Sequence, residues 1–270
     1  MQLAAGVLLP SFVTQLQLLT GSWREMTKQP LVGKLWHKGA VAPGKVHLWR
    51  VELDCAATSA TALRAMLSLE EKQRAARFRS LELCERWTVA RGALRCILAT
   101  YAGCEPSGLV FRAGPHGKLA LAWPAEDIPF NLSHTGGLAL VAIAGSGRVG
   151  VDAETVQPEI EVEELSRRVF SPAEAAEILS LCNDARLSAF FTCWTRKEAF
   201  AKAIGSGLSV PLSCFQVSVR SDQSARLLWV DGEEPDRWTL LDVSEPGVAA
   251  ALVVEGPTPV MQRMNFVPSS

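Results

Sequence analysis

Residues 190–205 read FFTCWTRKEAFAKAIG. Phe190, Cys193, Trp194, Phe200 and Ile204 recur at helical spacing, so the stretch predicts an amphipathic helix with one apolar face. Gly205 is a natural stop, because glycine takes positive φ without a Cβ clash. Glu198 and Lys202 are four residues apart and project from the same face. Taken alone the pair is an ordinary surface salt bridge of small worth. Other groups have to decide whether it is more.

Working upstream, residues 149–154 read VGVDAE. Strand period puts Asp152 and Glu154 on one face. Two adjacent carboxylates repel, so they are either solvated or share a cation. Hard oxygen donors without histidine or cysteine suit Mg²⁺ or Mn²⁺ better than zinc. Leu138–Ala144, a glycine turn and Arg148–Glu154 predict a β-hairpin. The turn, GSGRVG at 145–150, has the form G-x-G-x-x-G. A dinucleotide site needs a helix after those glycines, and a strand pattern follows instead.

Residues 130–137 read FNLSHTGG, which places Ser133 and His134 at a strand end beside a glycine turn. They either satisfy local backbone groups or, with nearby N–H groups, hold an anion. Lys118 closes the turn GPHGK at 114–118. Val46–Leu53 reads as a first strand and Thr58–Leu67 as a short helix. Ser68-Leu-Glu-Glu71 is a capping box opening a helical pattern that runs to about Tyr101. Lys72, Arg74, Arg77, Arg79, Arg86, Arg91 and Arg95 make this segment basic, as a solvated face or a phosphate-binding surface. Further on, Val162–Arg168 reads as a helix, and Ser171-Pro172 with Glu174 opens another. Phe215–Val219, Arg226–Val230, Trp238–Val243 and Val248–Val254 read as strands. The tail from Gly256 is expected to be loosely ordered.

The net charge of −1 excludes a bulk field that would draw the chain to nucleic acid or an anionic membrane. The seven cysteines are scattered and form no C-x-x-C, and the four histidines lie far apart, so zinc spacing is missing. Reduced thiols in a cytoplasmic enzyme are the simplest account. Met1–Thr20 is apolar-rich but lacks a basic n-region and is too polar to span a membrane.

The order of these pieces is more specific than any one of them. Glu70-Glu-Lys72-Gln-Arg74-Ala-Ala-Arg77-Phe78, Arg86, His116-Gly-Lys118, Phe130-Asn-Leu-Ser133-His134, Val149-Gly-Val-Asp152-Ala-Glu154 and Trp194-Thr-Arg-Lys197-Glu198-Ala-Phe-Ala-Lys202 follow one another. Together they resemble the phosphopantetheinyl transferases, specifically the larger type that serves nonribosomal peptide and polyketide synthases. The resemblance runs over roughly Val46–Val254 and implies an α+β protein. Its fold would be a pseudo-two-fold arrangement of two similar α/β halves with the active site between them. Outside the resemblance, an N-terminal extension over 1–43 is expected to be poorly ordered and 256–270 to form a tail, and the resemblance implies a CoA-binding half over 44–145 and a metal and catalytic half over 146–255.

The implied activity is Mg²⁺-dependent transfer of 4′-phosphopantetheine from coenzyme A to a serine of an acyl or peptidyl carrier protein, releasing adenosine 3′,5′-bisphosphate. The resemblance makes Asp152, Glu154 and Glu198 the metal ligands, with Glu198 the candidate base and Lys202 at the pyrophosphate. It makes Ser133, His134, Lys118, Arg86 and one or more of Lys72, Arg74 and Arg77 the coenzyme-binding set. A cytoplasmic monomer with no nucleic-acid or membrane partner is expected. In this chain Leu119 follows the loop lysine, where the family often has proline. A nucleotide phosphohydrolase or a coenzyme-binding module would share part of this pattern.

Overall fold

The computed structural model describes residues 28–30, 39–125 and 127–268. Most of the expected N-terminal extension, residues 1–27 and 31–38, lies outside the described residues.

In chain order, β1 (Lys28–Pro30) and β2 (Lys45–Glu52) precede three helices, α1 (Ala57–Ala65), α2 (Leu69–Ala75) and α3 (Leu81–Ala102). The hairpin β3 (Val110–Ala113) and β4 (Leu119–Trp123) follows, then β5 (Phe130–Thr135), β6 (Leu138–Ala144) and β7 (Val149–Thr155). Next come α4 (Val162–Val169), α5 (Pro172–Leu179) and α6 (Asn183–Ile204). The chain closes with β8 (Phe215–Val217), β9 (Leu227–Val230), β10 (Trp238–Asp242), β11 (Val248–Glu255) and β12 (Val260–Val267).

Two sheets organise these elements. One is five-stranded in the order β1-β12-β2-β6-β5, and the other is three-stranded in the order β10-β11-β7. Strand period explains how they stack. The odd residues of β6, Ala139, Val141 and Ile143, pack with Trp49, Leu94 and Ile97 under α3. Its even residues, Leu138, Leu140 and Ala142, pack against Val149, Val151 and Leu252 of the second sheet. With both faces covered, all seven positions of β6 are buried, which is why it reads as an unbroken apolar run. On the far side Ala199, Phe200 and Ala203 of α6 pack on Ala251 and Val253 of β11. The layers are therefore α3, first sheet, second sheet, α6.

Three expectations are corrected. β6 and β7 do not form a hairpin: β6 pairs β2 and β5, and β7 pairs β11. Both edges of β6 are already used, and the 145–148 turn carries the chain from one sheet to the other. The helical pattern from Leu69 to Tyr101 is broken between Ala75 and Leu81, because Ser80 caps a new helix by accepting from Leu83 N. The tail from Gly256 contains β12, which lies parallel to β2 in the first sheet and buries Phe266 in its core. The last strand therefore joins the sheet of the N-terminal half. β1 lies parallel to β12, and Gly39 N donates to Thr100 O, so part of the extension is built in as well. Other local expectations match: both capping boxes form, and Gly205 ends α6 in the left-handed conformation. No helix among the described residues is long and apolar enough to cross a membrane.

Candidate active site

β7 ends its sheet, and its even residues face α6. Gly150 makes that approach close, since a Cβ there would stand 2.1 Å from Ala199 O and 2.4 Å from Ala203 N. With the α6 backbone seated directly on β7, Glu198 and Lys202 reach Asp152 and Glu154. Lys202 Nζ donates to Asp152 Oδ1 at 2.6 Å and to Ser133 Oγ at 2.9 Å. Ser133 Oγ in turn donates to Asp152 Oδ1 at 2.9 Å. Asp152 is 3% exposed, and its Oδ2 and Glu198 Oε1 are buried without any hydrogen-bond partner.

This electrostatic arrangement is uncompensated. Burial raises the Glu198 carboxyl above its usual range, and the Asp152 and Glu154 charges raise it further against the pull of Lys202. Burial and Asp152 raise Glu154 in the same way, while Lys202, Thr135 and the Trp194 indole favour its charged form. Three acids and one ammonium leave negative charge and two orphaned carboxylate oxygens. That is the donor set a hard divalent cation needs. Among the described residues, no three carboxylate, imidazole or thiol groups stand close enough to enclose an ion unaided.

The free edge of β7 is closed by side chains, not by a strand. Asn131 Oδ1 accepts from Val151 N at 2.9 Å, Ser133 Oγ from Ala153 N at 3.3 Å, and Thr135 Oγ1 from Thr155 N at 2.9 Å. These are alternate residues of β5, so one face of that strand supplies a ladder to the second sheet. Lys118 continues the row, its Nζ donating to Val149 O at 3.0 Å and to Ala203 O at 2.8 Å.

A cavity opens beside Glu198, and a second adjoins it. The first, of about 500 Å³, is lined by His116, Lys118, Phe130, Leu132, Glu198 and Lys202 among others. The second, of about 630 Å³, shares Gly117, Leu119 and Leu132 with it and extends to Arg74, Trp87, Arg91, Phe111 and His134.

A family model described as the 4′-phosphopantetheinyl transferase superfamily matches residues 148–253, a span that contains Asp152, Glu154, Glu198 and Lys202. The chain is 35% identical over 215 residues to the 4′-phosphopantetheinyl transferase HetI of Nostoc sp., covering 78% of this chain and 88% of that one. The chain belongs to the 4′-phosphopantetheinyl transferase superfamily. It is 28% identical over 193 residues to the 4′-phosphopantetheinyl transferase Sfp of Bacillus subtilis, over 72% of this chain and 84% of the relative. A further 4′-phosphopantetheinyl transferase of Bacillus subtilis is 31% identical over 174 residues, 64% of this chain and 75% of that one. The chain is thus an enzyme, a phosphopantetheinyl transferase.

Among the residues expected at the site of this transferase, Asp152, Glu154, Glu198 and Lys202 come together. Ser133 is buried beneath them and fully engaged. His134 sits at the rim of the second cavity, its basicity lowered by enclosure and by Lys202. Arg74 lines the same cavity, its guanidinium 5.6 Å over the Trp87 ring. Lys72 lies on α2 and Arg77 just beyond it, and neither lines a described cavity. Arg86 is held by Asp54 at 2.7 and 3.0 Å and also pairs with Glu82.

Sequence reasoning missed Asn131, Thr135 and the Glu71–Arg91 pair. Asn131 and Thr135 flank Ser133 at period two, a signal that was present in the sequence. Glu71 is 7% exposed and pairs with both Arg91 and Arg95, the latter at 2.6 Å. The Arg91 guanidinium lies 4.3 Å over Phe111 on the cavity wall. Lys197, inside the W-x-x-K-E motif, is fully buried against Glu174 at 2.8 Å.

Proposed function

We propose that this enzyme transfers 4′-phosphopantetheine from coenzyme A to a serine hydroxyl of an acyl or peptidyl carrier protein, releasing adenosine 3′,5′-bisphosphate. The observation that carries this reading is the pair of buried carboxylate oxygens, Asp152 Oδ2 and Glu198 Oε1, left without partners beside Lys202. Asp152, Glu154 and Glu198 would hold Mg²⁺, with water and pyrophosphate oxygens completing its shell. When bound, Mg²⁺ supplies Lewis acidity at those oxygens and offsets charge on the departing bisphosphate.

The residues of the chain divide the remaining work. A serine hydroxyl is a weak nucleophile, and Glu198, made more basic by burial and then by the Asp152 and Glu154 charges, accepts its proton as the oxygen bonds to phosphorus. The phosphorus–oxygen bond to the bisphosphate breaks, and Lys202 neutralises the oxygen that leaves. Arg74 and His134 lie along the adjoining cavity, where they would meet the coenzyme phosphates. Lys72 and Arg77 stand outside it and contribute positive field, while Arg86, also outside it, is neutralised by Asp54 and Glu82. We read the two helix-on-sheet layers as the pseudo-two-fold halves of the family. We also read the protein as a cytoplasmic monomer, in keeping with its seven free thiols.

The test is intact-protein mass spectrometry of an apo carrier protein incubated with the enzyme, coenzyme A and Mg²⁺. The expected result is the gain of one phosphopantetheine, abolished by EDTA. Hydrolysis of coenzyme A with no gain on any carrier would overturn the reading in favour of a phosphohydrolase.

A further inference from the structure

We propose that Lys118 is a positioning residue that ties the last turn of α6 to the free edge of β7, and not a ligand of the coenzyme phosphates. The inference rests on the transferase reading for its kinetic consequence only.

Each partner of the ammonium has a reason to need it. The last carbonyls of a helix have no intrahelical donors. In α6, Gly205 N reaches back to Lys202 O and Ser206 N to Ala201 O, which leaves Ala203 O to Lys118. A cation at a helix C-terminus is favoured by the macrodipole. Val149 O lies on the β7 edge that no strand covers, beside the positions closed by Asn131, Ser133 and Thr135. Lys118 therefore completes a row of side chains that substitutes for a missing strand.

The surroundings hold the lysine in this role. Its stem lies against Gly205, where an added Cβ would be 3.4 Å from Lys118 Cδ. The turn that carries it is latched to the loop after α6, with Ser209 Oγ 3.1 Å from His116 Nδ1. Ala203 directly follows Lys202, and Val149 lies three residues before Asp152. The 2.6 Å contact between Lys202 and Asp152 is therefore framed by the two carbonyls that Lys118 holds. Freed from that frame, the helix end loosens, and the catalytic groups lose alignment while the coenzyme groove stays intact.

The experiment compares wild type, Lys118→Met and Lys118→Arg by three readings. These are coenzyme A affinity by calorimetry, kcat and KM for coenzyme A in the transfer assay, and hydrogen exchange at the Gly205 and Ser206 amides. Loss of two charge-assisted hydrogen bonds corresponds to about tenfold or more in each affected equilibrium. For Lys118→Met we expect about tenfold faster exchange at the α6 end and about tenfold lower kcat, with Kd and KM within about twofold of wild type. Lys118→Arg keeps two donors on a cation and is expected to restore most of both losses. A Kd weakened about tenfold with exchange and kcat unchanged would make Lys118 a ligand and overturn the proposal, as would wild-type exchange in Lys118→Met. If wild type itself transferred nothing, the functional reading would fall, while exchange and calorimetry would still decide the role of Lys118.

Discussion

Lys197 lies in the W-x-x-K-E motif between Trp194 and Glu198, yet the structure makes it a clamp and not a reagent. Its Nζ donates to Glu174 at 2.8 Å, to Leu212 O at 2.6 Å and to Phe215 O, and it lies 4.3 Å over the Phe215 ring. Glu174 meanwhile accepts from Ser171 N and Val217 N. One buried pair thereby joins α5, α6 and the start of β8. Lys197→Met keeps the length of the stem but removes the charge. It leaves Glu174, 3% exposed, as an uncompensated buried carboxylate and strips a donor from two carbonyls. Breaking such a pair from one side costs roughly 3–5 kcal/mol. At about 2–4 °C per kcal/mol for a chain of this size, the melting temperature falls by roughly 8–16 °C if the loss is about 4 kcal/mol. Adding Glu174→Gln removes the orphaned charge and is expected to recover roughly half of that loss. The assay is thermal unfolding by circular dichroism, with transfer activity measured well below the transition. There, Lys197→Met should retain activity within about twofold of wild type. An unchanged melting temperature with activity lost would refute the reasoning, because Lys197 would then act on substrate.

Three further outcomes follow from the geometry. Gly150→Ala forces α6 off β7 and is expected to cost about 1–3 kcal/mol and most of the transfer rate. A fully active variant of wild-type stability would mean that the helix does not need this approach. Glu198→Gln should lower kcat by about a hundredfold or more. In EDTA near neutral pH it should melt no lower than wild type. The raised folded pKa of Glu198 means that its charged form opposes folding, so neutralising it relieves strain. A lower melting temperature would contradict that sign. Glu255 is held down from 4.5 to about 2, first by its hydrogen bonds with Arg148 and then by Arg237. Its stabilisation is therefore present above about pH 4.5 and lost as pH falls toward about 2. After discounting for solvent screening, Glu255→Gln should cost roughly 1 kcal/mol at pH 7 and almost nothing near pH 2. A difference that stays constant over that range in denaturant titrations would exclude the ion pair as its source.

Much of the local structure was legible. The caps at Ser68, Ser171 and Gly205 are set by side chains or backbone within a few residues, and all three form as read. The period of 149–154 put Asp152 and Glu154 on one face, and the spacing in 190–205 put Glu198 and Lys202 on another. The misreadings share a cause. A glycine turn between two strand patterns looks like a hairpin, but whether the strands pair depends on which edges are already taken, and β2 and β5 take those of β6. β12 looked like a loose tail because its pairing partner, β2, lies more than two hundred residues earlier. The protein partners of Lys118 and Ser133 were not legible, because a sequence does not say what a side chain touches.

By itself, then, the sequence determined the elements, the faces and the chemical kind of the site, since these depend on periodicity and on residue type over short distances. Its motif order also determined the family. Only the tertiary structure decided that Gly150 lets α6 lie on β7, that β5 closes the β7 edge with side chains, and that Lys118 meets two backbone carbonyls. Those outcomes depend on contacts between residues far apart in the chain. Such contacts are selected by which packed arrangement buries apolar surface while leaving the fewest polar groups unmatched.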